Sequence, residues 1–345
     1  MDKYTILRSK YDKISFFLEK KTLIILPFLI LMTLLLLIFG LSVGSTIIHP
    51  WSIIEHMLGK GTGDYTFIIE TLRLPRMTLA FLVGVSLAVS GLILQGLVQN
   101  PLASPDIIGI TGGAKVAAVS FITFFSAVSI KWLPIVAIIG AGIATFIIYI
   151  LAWKKGITPI RLVLIGIGVE AGMGALVTMM IVLSPTYSTS EAYIWLTGSV
   201  YGSNWNDVFS MLPWVLIFIP ITILLSRRIN LQEIGDDLAL GLGSNVQLDR
   251  LILIFVSVAL AGSAVAFAGG IGFVGLIAPH IARILVGRSF GSLAPVSALI
   301  GGSIVMLADI VARTVFLPLD LPAGVFVSGM GAPFFIFLLY KNRNI

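Results

Sequence analysis

Apolar residues run almost unbroken from Ile24 to Phe39 and again from Leu251 to Leu260. Such runs lack the strict alternation of a lipid-facing β-barrel strand and read as buried or membrane-spanning helices. A spanning helix needs about 20 apolar residues. The apolar runs and their Gly, Pro and charged punctuation predict ten of them, near residues 22–41, 77–97, 107–128, 132–152, 161–183, 208–226, 249–269, 270–287, 293–313 and 322–340. The seventh and eighth are nearly continuous, parted only at Gly269-Gly270 and Gly272, and the eighth carries Pro279. Three segments between spans are long enough for separate work: 42–76, with an amphipathic stretch from Pro50 to Leu58; 184–207, rich in Ser, Thr and aromatics; and 227–249. None has the composition of a flexible linker. The pattern predicts one all-α polytopic membrane domain over residues 1–345.

Composition agrees. Of 345 residues 58% are hydrophobic and 11% charged, with mean hydropathy +1.07. A soluble domain carries roughly a quarter of its residues as Asp, Glu, Lys and Arg, so lipid is the solvent for most of this chain. The net charge of +6 has a topological explanation. With the N-terminus inside, the inner segments hold Lys3, Arg8, Lys10, Lys13, Lys20, Lys21, Lys154, Lys155, Arg161, Arg227, Arg228, Arg250, Arg283, Arg288, Lys341 and Arg343. The outer segments hold only Lys60, Arg73, Arg76, Lys131 and Arg313. This bias puts both termini in the cytoplasm and removes the need for a nucleic-acid partner. Residues 1–21 form a basic cytoplasmic tail, and Ser42-Val43-Gly44 imitates a signal-peptide cleavage site. The run from Leu23 to Leu41 is nevertheless long enough to span, and a retained first helix is expected.

The inventory of reactive groups is short. There is no cysteine, the histidines are His49, His56 and His280, and neither a zinc-type His cluster nor a G-x-x-x-x-G-K-[ST] loop occurs. No catalytic residue, metal site or cofactor is expected on this chain, and any nucleotide hydrolysis that powers it belongs to another. Two ions fall within spans. Lys115 and Glu170 both lie roughly 12–14 Å from the inner face at 1.5 Å per helical residue, and matched depth with opposite sign predicts an ion pair lining a pathway. Snorkelling by Lys115 with an isolated glutamate facing a crevice is the plainer alternative. Asp309 and Arg313 have the i,i+4 spacing of a helical salt bridge. Arg73 and Arg76 at the outer mouth of the second span break the inside bias. They suit either headgroup anchoring or bidentate recognition of carboxylates. Asn100-Pro101 and Ser104-Pro105 mark a turn after the second span, and His280 reads as a structural hydrogen-bonding group.

The run from Arg73 to Ala114, RLPRMTLAFLVGVSLAVSGLILQGLVQNPLASPDIIGITGGA, resembles the signature of FecCD-type ABC importer permeases. TPIRLVLIGIG (158–168), WLTGSVYGSNW (195–205), GGIGFVGLIAPHIAR (269–283) and LPAGVFVSGMGAPFFIFLL (321–339) extend the resemblance from about residue 70 to the end. It implies a type II ABC importer permease fold in a bacterial cytoplasmic membrane. Two such subunits, identical or homologous, would enclose a pathway powered by two cytoplasmic ATP-binding-cassette subunits that hold ATP and Mg, and served by an extracytoplasmic substrate-binding protein. The implied cargo is a ferric siderophore, with haem or cobalamin as the alternative. Carried over residue by residue, Arg73, Arg76 and Arg313 become wet, outward docking sites for acidic residues of the binding protein. Gly235, Asp236, Asp237, Leu242, Gly243 and Arg250 match the ATPase-coupling loop, with Ile234 where leucine is common. Asn100, Leu102, Thr158 and Pro159 match the cytoplasmic gates. The fifth span, with Gly166, Gly168, Gly172 and Gly174, and the tenth span are expected to line the pathway. An ion-coupled secondary transporter using Lys115 and Glu170, or a membrane-embedded enzyme, are the competing readings.

Overall fold

The computed structural model describes residues 4–8, 15–61, 63–125 and 128–341. Lys3, Lys10, Lys13 and Arg343 of the orientation argument, part of the predicted tail 1–21 and the last four residues lie outside them. Strands β1 (Tyr4–Arg8) and β2 (Ser15–Glu19) pair antiparallel, with Tyr4 opposite Glu19. A stretch expected only as a basic tail therefore carries a hairpin. It leads without a break into helix α1 (Lys20–Ser42), which is followed by α2 (Pro50–Met57) and α3 (Leu74–Val98), the last entered through a π-helical segment Phe67–Arg73. There follow α4 (Ile110–Phe124), α5 (Leu133–Ala152), α6 (Pro159–Leu183), α7 (Thr186–Thr197), α8 (Trp205–Leu224), α9 (Ser226–Glu233) and α10 (Asp236–Gly241). The chain ends with α11 (Val246–Ala268), α12 (Val274–Val286), α13 (Phe290–Thr314) and α14 (Ala323–Lys341).

Each of the ten predicted spans has its helix: α1, α3, α4, α5, α6, α8, α11, α12, α13 and α14. Among the described residues eight are long and apolar enough to cross a membrane, and α4 and α12 are shorter apolar helices. The amphipathic stretch near Pro50 is α2, started by Pro50 at its first turn and by Trp51 N–H donating to His49 Nδ1. Helices α7, α9 and α10 lie in the two other long inter-span segments.

Helix α3 is the axis of the bundle, with 89% of its apolar window buried against 11% for α1. Glycine makes this possible. A β-carbon on Gly84 would lie 2.2 Å from the carbonyl oxygen of Gly301 in α13, and one on Gly301 would lie 2.5 Å from that of Gly84. Gly113 of α4 and Gly140 of α5 clasp in the same reciprocal way. Helix α11 is tied to α3 by Ser90 and Ser257, whose hydroxyls approach to 2.7 Å, while Ser90 Oγ donates to Ser257 O at 3.0 Å. Lipid supplies little hydrophobic drive between helices, so backbone proximity and internal hydrogen bonds hold them together.

The chain leaves helical geometry between Ala268 and Val274. Irregular backbone at membrane depth survives only inside protein, and here it is enclosed. Ser199 N–H donates to Ala268 O at 2.8 Å, Gly324 N–H donates to Gly198 O at 2.9 Å, and the Trp195 carbonyl packs where Gly269 would carry a side chain. The end of α7, the break and the start of α14 are thereby stitched together.

Replacing Gly84 by valine forces a side chain into the Gly301 backbone and should lower stability by about 1–3 kcal/mol or more, the scale of overpacking. Gly168→Ala meets no atom within 4 Å and should leave stability unchanged or raise it by up to about 1 kcal/mol. Thermal melting of the detergent-solubilised protein compares the two.

Candidate functional site

On the outer face, Arg73, Arg76, Tyr201, Arg313 and Asp320 line an open cavity of about 480 Å³. The three arginines are not wet. They are 6%, 8% and 8% exposed, which corrects the expectation of solvated docking charges. The reason lies in helix ends. The last carbonyls of α1 have no intrahelical partner. Arg73 donates to Leu41 O at 2.6 Å, Ser42 O at 3.2 Å and Thr46 O at 2.5 Å, while Arg313 donates to Gly40 O. Cations at a helix C-terminus also complement its dipole.

Arg76 is the keystone. Its Nε donates to both oxygens of fully buried Asp309 at 2.9 and 3.1 Å, and its two terminal nitrogens grip Asp320 at 2.7 and 2.8 Å. Its guanidinium lies 5.5 Å from the ring centre of Tyr201. The expected Asp309–Arg313 pair exists at 3.6 Å but is secondary to the 2.8 Å contact of Asp309 with Arg76. Asp320 was not foreseen, because nothing in its local sequence connects it to Arg76. Three arginines against two carboxylates leave the cavity floor one positive charge in excess.

Within the membrane, Lys115 and Glu170 interact through space without a direct contact of ion-pair length. Glu170 Oε2 is buried against Gly112 without a hydrogen-bond partner, and the Lys115 side chain runs instead to Gly270 at the chain break. Equal depth on two helices does not set the direction in which each side chain points. The α6 glycines divide by role. Gly166 presses on the Ile107 carbonyl, whereas Gly168, Gly172 and Gly174 face open space.

At the cytoplasmic side, Asn100 Oδ1 accepts from Leu102 N–H at 2.9 Å and shapes the turn after α3. Thr158 precedes Pro159, which starts α6. Asp236 and Asp237 occupy the first turn of α10 behind Gly235, whose φ of +102° favours glycine. Gly243 also has positive φ, at +83°. Ile234, Leu238, Leu240 and Leu242 are left substantially exposed on this loop. Arg250 is the exception in its group. It is fully buried, so it cannot meet a partner directly, and it donates to Ile157 O and to Asp236 Oδ1, each at 2.5 Å. Gln247 and Gln99, which the motif reading passed over, bridge the same region to Ile157 and to Gln232. Among the described residues no group of His, Cys, Asp and Glu side chains could hold a metal ion.

Residues 31–341 match the FecCD transport family. The chain belongs to that family. The achromobactin transport system permease protein of Dickeya dadantii is 48% identical over 91% of this chain and 90% of its own length. The iron(3+)-hydroxamate import system permease protein of Bacillus subtilis is 44% identical over 93% and 98%. The cobalamin import system permease protein of Halobacterium salinarum is 42% identical over 81% and 74%. A solved structure described as an inward-facing metal-chelate type ABC transporter superposes with a TM-score of 0.82 at 31% identity, covering 93% of this chain and 99% of that one. This FecCD chain is a multi-pass membrane protein with the fold of an ABC transporter permease.

Breaking a buried pair by removing one partner costs about 3–5 kcal/mol. Asp309→Ala, which strips Arg76 and Arg313 of their shared carboxylate, should fall in that range. Asp320→Asn leaves Arg76 its buried partner and should cost about 1 kcal/mol or less. Melting of the two variants in the same detergent gives the comparison.

Proposed function

We propose that this chain is the permease subunit of a binding-protein-dependent ABC importer that carries ferric siderophores across a bacterial cytoplasmic membrane. The observation that carries the reading is near-full-length similarity to permeases named for iron(3+)-hydroxamate and Fe(3+)-citrate import, at 44% and 42% identity. Cargo passes between this subunit and a second permease, identical or homologous. ATP and Mg belong to two cytoplasmic cassette subunits, and no cofactor or covalent chemistry is assigned to this chain. The absence of a P-loop requires work to arrive through a contact. The exposed aliphatic side chains of Ile234, Leu238, Leu240 and Leu242 supply an apolar surface for it.

On the outside, the substrate-binding protein docks over the arginine-lined cavity. The excess positive charge there favours an inserted carboxylate, and such charges contribute steering and orientation more than affinity. The open glycine face of α6 borders the cargo route, with Asn100, Leu102, Thr158 and Pro159 at its inner gates. Lys115 and Glu170 lie near enough to interact through space, but no hydrogen bond connects them to carry an ion relay.

Reconstituted with its partners, the importer should take up a radiolabelled ferric hydroxamate only with ATP and regardless of a protonophore. Uptake without ATP that a protonophore abolishes overturns the mechanism, and uptake of haem or cobalamin alone overturns the cargo. Reversing Arg73 or Arg76 would disturb the fold, so exposed Thr71 on the cavity wall is the better probe. Thr71→Glu should weaken binding-protein docking several-fold, most at low salt. Leu238→Asp should release the ATPase subunits in a pull-down without loss of permease.

A further inference from the structure

The corner between α5 and α6 is built as one rigid piece. Arg161 in the first turn of α6 donates to the carbonyls of Ala152, Lys154 and Gly156 at 3.2–3.4 Å. Only Thr158 separates Ile157 from Pro159, whose ring fixes the entry into α6. Displacing the Ile157 peptide therefore displaces the start of α6.

That peptide is held from α11. Ile157 N–H donates to Gln247 Oε1 at 2.9 Å, and Gln247 Nε2 donates back to Ile157 O at 3.3 Å. Arg250, one turn further along α11, adds its own bond to Ile157 O and spends its other terminal nitrogen on Asp236 Oδ1. The Ile157 side chain and the Arg250 side chain are both completely buried. Position 156 favours glycine, because its φ is +114° and a β-carbon would push against Gln247 Nε2 at 2.8 Å. Asp236 opens α10, within the loop whose apolar side chains are exposed.

A buried guanidinium is expensive unless it is paired. Nε of Arg250 has no partner at all. A packed aliphatic residue would hold a static corner without that cost, whereas a guanidinium with two directed bonds joins two separate segments. We propose that Gln247, Arg250 and Asp236 are positioning residues forming a latch, by which movement of α10 is passed to the inner end of α6. This rests on the reading that the loop 227–249 receives the ATPase subunits. It adds a route from that contact to the gate at Thr158 and Pro159.

The test uses the assembled importer, with its ATPase subunits and binding protein, in proteoliposomes. Gln247→Ala removes two bonds to Ile157 without stranding a charge, and Asp236→Asn keeps a hydrogen-bond acceptor while removing the ion pair. Cargo moved per ATP hydrolysed should fall about fivefold in Gln247→Ala, the scale found for residues along coupling routes. It should fall less in Asp236→Asn, and hydrolysis should remain near wild type in Gln247→Ala. Spin labels at Thr158 and Leu240 should shift together when ATP binds wild type, and separately in Gln247→Ala. An unchanged ratio of cargo to ATP in Gln247→Ala overturns the latch, as does a parallel loss of both activities or loss of ATPase association. If Leu238→Asp still binds the ATPase normally, the underlying docking reading fails instead.

Discussion

Lipid gives two apolar helices almost no reason to meet, so this bundle depends on how closely backbones can approach. The contact between Gly84 and Gly301 brings main chain against main chain at the crossing of α3 and α13, and the other central contacts are arranged about it. Gly91 of α3 meets Gly275 of α12 in the same way, and Gln95 Nε2 donates to Gly275 O at 3.0 Å. With α3 fixed against α12 and α13, α11 is held through Ser90 and Ser257. The arrangement has an internal echo: α3 crosses α13 as α11 crosses α5, where Gly262 lies on Ala141. The second span thus stands to the ninth as the seventh stands to the fourth, the relation expected of inverted repeats.

Around this dry centre, the polar side chains mostly serve the backbone. Arg73, Arg313, Gln99 and Gln247 all donate to carbonyls at helix ends and turns, and Gln95 donates to Gly275 O, whose intrahelical donor is removed by Pro279. The same groups face the two mouths of the bundle. Structural demand and functional placement coincide there, because helix ends are where unsatisfied carbonyls and partner surfaces both occur.

The architecture was legible because an apolar run of spanning length has few other uses, and every predicted span became a helix. The break after Ala268 was visible in Gly269, Gly270 and Gly272. Side-chain environments were much less accessible. Arg76 stood out as a charge in the wrong compartment, yet its partners lie at positions 309 and 320, beyond any helical period. Lys115 and Glu170 share a depth and act on each other through space, but whether they touch is set by packing that a single sequence does not display. Arg250 lay next to a motif of exposed residues and was read with them, although α11 turns it inward. Ile157 left no signal because its contact is made by main-chain atoms.

The bonds to the carbonyls of Gly40, Leu41 and Ser42 carry a lesson about biogenesis. The outer end of α1 is capped from the π-helical segment before α3 and from α13, and α1 buries little of its own surface. Arg313 emerges from the ribosome 273 residues after the carbonyl it caps. The first hydrophobic segment can thus be moored by Arg73 as soon as the second span follows it, while its last bond, from Arg313, is completed only when nearly the whole polypeptide has been delivered.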